Sequence, residues 1–158
     1  MCVRERKAEK KEQLRTKNDL FYLSMAIAVK ENQATLDNVK QILNTTFNEL
    51  DFSNLIAVKF VGDGTYFEFT DKFIEIRPSG TDAKTKAYSG GKNKEEIEKY
   101  ASTMGNYSGE RNEIHKQIIS NEIYSIAKDK SMEYYLKFVE KNANDKAFEI
   151  PIYKFLML

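Results

Sequence analysis

Residues 55–88, LIAVKFVGDGTYFEFTDKFIEIRPSGTDAKTKAY, decide the fold of this chain. Apolar and polar side chains alternate with a period of two, the pattern of strands that bury one face. From Leu55 to Val61 the alternation puts Ile56, Val58 and Phe60 on one side and Lys59 on the other. Gly62-Asp63-Gly64 is a turn. Thr65 to Thr70 alternates again through Phe67 and Phe69, and Asp71-Lys72 is short enough for a hairpin into a strand from Phe73 to Arg77. A fourth strand runs from Ala83 to Tyr88 and closes at Ser89-Gly90-Gly91. A short helix from Lys94 to Met104 follows, with Ile97, Tyr100, Ala101 and Met104 facing inward. The expected unit is α+β: a four-stranded antiparallel sheet packed with helices.

The connection between the third and fourth strands carries the chemistry. Arg77-Pro78-Ser79-Gly80-Thr81-Asp82-Ala83 places a guanidinium, two hydroxyls and a glycine in five consecutive residues. Arginine offers a planar fork of donors and a permanent charge. Ser79 and Thr81 add neutral donors. Gly80 lets the backbone turn so that successive N–H groups point into one concavity, and Pro78 stiffens the entry. Such a loop can wrap a phosphate. Lys84 and Lys86, alternating outward beyond it, suit either long-range attraction of an anion or a solvated strand face.

The flanks are helical. Leu20, Phe21, Leu23, Ala26, Ile27 and Val29 read as a buried helix ending near Asn32. Thr35 reads as the N-cap of a second helix that sets Leu36, Val39, Ile42, Leu43, Phe47 and Leu50 on one face, so a helical hairpin spans residues 14–49. After the sheet, Ile114, Ile118, Ile119, Ile123 and Ile126 hold helical spacing. Ser131 can cap a further helix with Met132, Tyr135, Leu136 and Val139. Pro151 breaks the end, leaving Ile152 to Leu158 as a strand or docked tail. His115 is expected at a helix surface.

Composition narrows the classes. With 41% hydrophobic and 12% aromatic residues, 158 residues suffice for one domain with a real core. A formal charge of +1 argues against nucleic-acid binding driven by overall charge. The basic stretch at residues 4–17 is interleaved with acids and lacks aromatics, so an RNA-binding arm is the weaker reading beside a solvated helix. One cysteine, Cys2, and one histidine, His115, exclude a disulfide framework and a histidine metal cluster within the chain. No segment has the length of a membrane span or the form of a signal peptide, so a cytoplasmic protein without membrane contact is expected.

The stretch FIEIRPSGTDAKTKAY resembles the signature of the C-terminal, fourth domain of the phosphohexomutases, the phosphoglucomutase/phosphomannomutase family. There an Arg-Pro-Ser-Gly-Thr-Glu-Pro loop followed by a basic strand binds phosphate. VKFVGDGTYFEFTDK looks like the family's two preceding strands, and KEEIEKYASTM like its closing helix. Asp82 stands where the family usually has Glu and Ala83 where it usually has Pro. The resemblance implies a TBP-like C-terminal domain over residues 52–106. It also implies a helical segment over residues 1–51, comprising the end of the third domain and a linker helix. It does not extend over the helical C-terminal extension, residues 107–158.

The same resemblance implies roles. Arg77, Ser79, Gly80 and Thr81 would hold the non-reacting phosphate of a hexose phosphate during transfer between the 1- and 6-positions. The phosphoserine loop, the aspartate-rich loop for magnesium and the sugar-reading loop of the family are not found here, so catalytic and metal residues are assigned to none of these positions. The expected partners are a hexose phosphate and the remaining mutase domains, with magnesium a cofactor of the full-length enzyme and the chain alone inactive. The alternative is a non-enzymatic protein-interaction or anion-sensing module.

Overall fold

The computed structural model describes residues 15–79 and 84–128. Helices α1 (Lys17–Lys30) and α2 (Leu36–Thr46) precede strands β1 (Leu55–Val61), β2 (Gly64–Phe69), β3 (Lys72–Pro78) and β4 (Thr85–Gly91). Helices α3 (Lys94–Gly105) and α4 (Glu113–Ile118) follow, and residues 121–128 form a last helical stretch, α5. The strands make one antiparallel sheet in the order β1-β2-β3-β4, a meander. The α+β class and the four antiparallel strands agree with the sequence reading. The expectations on residues 1–14, on Gly80, Thr81, Asp82 and Ala83, and on the segment from Ser131 through Pro151 to Leu158 lie outside the described residues.

Alternation sorts the sheet into two faces. Val58, Phe67 and Ile74 are paired across three strands and buried, as are Phe60, Thr65 and Ile76. The other face carries Lys59, Tyr66, Glu75 and Tyr88 in one row across all four strands. Ile56 departs from its expected place: it is 51% exposed. The register shifts between Leu55 and Ala57, so two residues of β1 oppose one of β2. That bulge lets Leu55 and Val58, three residues apart, share the buried face and turns Ile56 out.

Helix α1 is the centre of the molecule. Every residue from Asn18 to Ala28 is buried. A helix apolar on all sides must be covered on all sides. Tyr22 meets Phe67 of the sheet edge to face at 5.5 Å, while Phe21 stacks on His115 of α4 at 4.6 Å. Burying Phe21, Leu23, Met25 and Ile27 contributes about 1.5–3 kcal/mol each. The polar members of α1 are used to join elements. Asn18 donates to the carbonyls of Met104 and Tyr107, and the Tyr22 hydroxyl donates to Met104 O at 2.6 Å. These bonds tie α1 to the C-terminal end of α3 and the residues just beyond it. Gly109 holds φ of +85°, and a Cβ there would lie 2.2 Å from the carbonyl carbon of Lys17, so only glycine allows the two backbones to approach.

Buried side chains from Leu20 to Ala127 form one hydrophobic cluster. A charged group on the buried face is also accounted for. The Lys72 ammonium reaches Asp71 at 3.2 Å and Glu96 at 3.1 Å, and lies over the rings of Phe69 and Tyr100. It ties β3 to α3 through charge and ring faces together.

The expectation for His115 is corrected. It is fully buried, not at a helix surface. Its surface-like neighbours Glu113, Lys116 and Gln117 are exposed, but the ring points inward between Phe21 and Tyr124. The isoleucine stripe around it is split as well. Helix α4 ends at Ile118, and Ser120 caps the next helix, its hydroxyl accepting from the Ile123 N–H at 3.2 Å.

Candidate functional site

Arg77 and Ser79 sit where β3 runs out. Arg77 points to the outer face, opposite Lys86 of β4. Its stem lies over Gly64, where a Cβ would come within 2.4 Å of the Arg77 Cγ and 2.8 Å of the Ile76 carbonyl. The Gly62-Asp63-Gly64 turn thus does two things: it joins β1 to β2 and leaves room for the arginine. The Arg77 Nε donates to Asp63 Oδ1 at 3.2 Å. The Arg77 side chain is 33% exposed and that of Asp63 8%. Ser79 is buried, and its N–H donates to Lys84 O at 2.9 Å, drawing the two ends of the connection together. Of the four residues expected to hold phosphate, Arg77 and Ser79 are therefore placed at the mouth of one loop. Gly80 and Thr81 lie outside the described residues.

The start of α1 docks beside this loop. Thr16 caps the helix, its hydroxyl accepting from the Asp19 N–H at 3.0 Å, and the same oxygen meets Thr85 Oγ1 at 2.6 Å. Arg15 donates through Nη1 to Asp19 Oδ2 at 2.5 Å and through Nη2 to the Asp63 carbonyl at 3.1 Å. A chain of ionic hydrogen bonds thus runs from buried Asp19 through Arg15 and Asp63 to Arg77. Arg15, Thr16, Asp19 and Asp63 were not singled out from sequence. The signal for two of them exists: Thr16-Lys17-Asn18-Asp19 has the Thr-x-x-acid spacing of a helix start.

Burial dominates the electrostatics. It raises the Asp19 carboxyl to about 6, against the pull of Arg15, with Asp63 adding to the rise. It also raises Glu75, which Arg77 opposes and Asp63 assists. The exposed ammonium groups of Lys84 and Lys86 follow the loop. Such a set of groups can hold and orient an anion. It presents no nucleophile poised against a base.

A serine–histidine pair does exist elsewhere, and its geometry is wrong for catalysis. Ser24 Oγ lies 3.0 Å from His115 Nε2, with both residues fully buried. Arg111 Nε donates to His115 Nδ1 at 2.9 Å. Guanidinium has no acceptor, so Nδ1 accepts and Nε2 carries the proton toward Ser24. Ser24 in turn donates to the Phe21 carbonyl at 2.8 Å. The relay ends on backbone and locks α4 to α1. Burial, with the Arg111 charge adding, lowers His115 to about 4.

Two open hollows lie away from the loop. One of ≈560 Å³ is lined by Glu49, Asp51, Glu95, Glu96, Lys99 and Tyr100 among others, a rim that repels phosphate. The other, ≈360 Å³, includes Val29, Leu36 and Ile56 beside Lys30 and Lys59. Neither includes Arg77 or Ser79. Among the described residues no group of three or more acidic, histidine or cysteine side chains is placed to hold a metal ion. Among them, too, no helix is long and apolar enough to cross a membrane. In comparisons with known proteins, no family model, no curated protein and no solved structure matched the chain.

Proposed function

We propose that this chain is a phosphate-gripping domain of the phosphohexomutase type. It would hold the non-reacting phosphate of a hexose phosphate while phosphoryl transfer takes place on other domains. The observation that carries the reading is the placement of Arg77. It stands at the end of a strand, its Nε paired with Asp63, beside a short β3–β4 connection whose first residue, Ser79, is bonded across to Lys84. The meander sheet with helices on one face suits the TBP-like domain that the Arg-Pro-Ser-Gly-Thr stretch implies. Phosphoryl transfer needs positioning and charge neutralisation, and an arginine with hydroxyl and backbone donors supplies both at the non-reacting end.

The family's phosphoserine loop and aspartate-rich loop are not found in this sequence, so the chain alone is expected to bind without turning over. Calorimetric titration with inorganic phosphate tests this. The unaltered chain is expected to release or absorb heat with saturation, and Arg77→Ala to lose it. Binding that survives Arg77→Ala unchanged contradicts the reading. So does interconversion of glucose 1-phosphate and glucose 6-phosphate by the isolated chain.

A further inference from the structure

The outer face of the sheet continues from Arg77 into a surface with its own chemistry. Arg77 faces Lys86 across β3 and β4, giving one basic row at the loop end. One two-residue step back along the same strands lies Glu75, facing Tyr88 on β4 and Tyr66 on β2. That step is about 6.7 Å, the reach of a sugar ring from its own phosphate. Tyr88 is 47% exposed, one of two large hydrophobic side chains left open among the described residues. Tyr66 is braced from the far side: it stacks on Phe73 at 5.4 Å with ring planes 15° apart. Glu75 is half-buried between the two tyrosines of its row.

We infer that this face is a sugar-ring subsite. A hexose phosphate would lie along β3 and β4 with its phosphate at Arg77 and Lys86, its ring against Tyr88, and a ring hydroxyl donating to the Glu75 carboxylate. The inference rests on the phosphate reading of Arg77 and adds the recognition of the sugar to it. Each group matches one part of the ligand. Guanidinium and ammonium take the dianion. The face of a tyrosine ring takes the apolar C–H face of a pyranose, leaving its hydroxyls to water and to Glu75. A polyanionic strand is a poorer occupant, because Glu68 and Glu75 share the face and repel successive phosphates.

Titrating the chain with glucose 6-phosphate, inorganic phosphate and glucose separates the two readings. Glucose 6-phosphate is expected to bind more tightly than inorganic phosphate. Tyr88→Ala is expected to weaken glucose 6-phosphate by about 3- to 10-fold and to leave inorganic phosphate unchanged, with Tyr88→Phe restoring the loss. Glu75→Gln should weaken glucose 6-phosphate selectively in the same way. Because Tyr88 is exposed, its removal leaves the core intact, which circular dichroism verifies. Equal affinity for glucose 6-phosphate and inorganic phosphate overturns the sugar subsite and leaves the phosphate grip standing. So does a Tyr88→Ala variant with unaltered glucose 6-phosphate affinity. Absence of binding by both anions overturns the phosphate reading itself and the subsite with it.

Discussion

Replacing His115 by glutamine removes one titrating group while keeping its two hydrogen bonds. The glutamine oxygen can accept from Arg111, and its amide can donate to Ser24, as the imidazole does. The magnitude follows from burial. The imidazole has an ordinary value of 6.5 and falls to about 4 in the folded protein. As pH drops below 6.5 the unfolded chain takes up the proton first, so stability present above that pH is lost until the folded value is passed. At about 1.4 kcal/mol per factor of ten, the full loss is about 3 kcal/mol, and about 2 kcal/mol of it has occurred by pH 5. Asp19 acts in the opposite sense. Its carboxyl rises from 3.8 to about 6, so the folded protein binds that proton first and gains stability as pH falls through the same range. The unaltered protein should therefore show a shallow net dependence between pH 6 and 4. The difference between it and His115→Gln isolates the histidine, because Asp19 is common to both. Urea unfolding at pH 7, 5 and 4 should show the variant gaining on the unaltered protein by about 3 kcal/mol over that span. A difference that stays constant with pH would refute a neutral, buried His115.

Two glycines give further tests. Gly109→Ala forces a Cβ to 2.2 Å from Lys17 backbone at a φ of +85°. It should cost about 2 kcal/mol or more, read as a lowered urea midpoint. Gly64→Ala drives a Cβ against the stem of Arg77 and the Ile76 carbonyl. It should lose about 1–3 kcal/mol of stability and, by displacing Arg77, weaken inorganic phosphate in a calorimetric titration. Asp63→Ala removes the carboxylate that holds the Arg77 Nε. Its phosphate affinity should fall by about 10-fold. An unchanged affinity would show that Arg77 is positioned without it.

The sheet was legible because its strands are joined by short turns, so period-two alternation and turn residues suffice to order them. The one error there, Ile56, comes from a bulge, which alternation alone does not reveal. Arg77 and Ser79 were legible because the loop is contiguous. Asp63, Arg15 and Thr16 were not, because α1 brings them in from far along the chain: Arg15 meets Asp63 across 48 residues, and Thr16 meets Thr85 across 69. His115 was misread because Glu113, Lys116 and Gln117 make its short helix look solvated. Nothing local to α4 shows that Phe21, Ser24 and Arg111 enclose one ring.

The central claim is that an anion binds at the end of β3 through Arg77. The most direct measurement is the amide spectrum of the unaltered chain during titration with inorganic phosphate. Saturable shifts are expected at residue 77, at residues 79–85 and at Asp63, all smaller in Arg77→Ala. An unmoved loop, with shifts elsewhere or none at all, would contradict the claim.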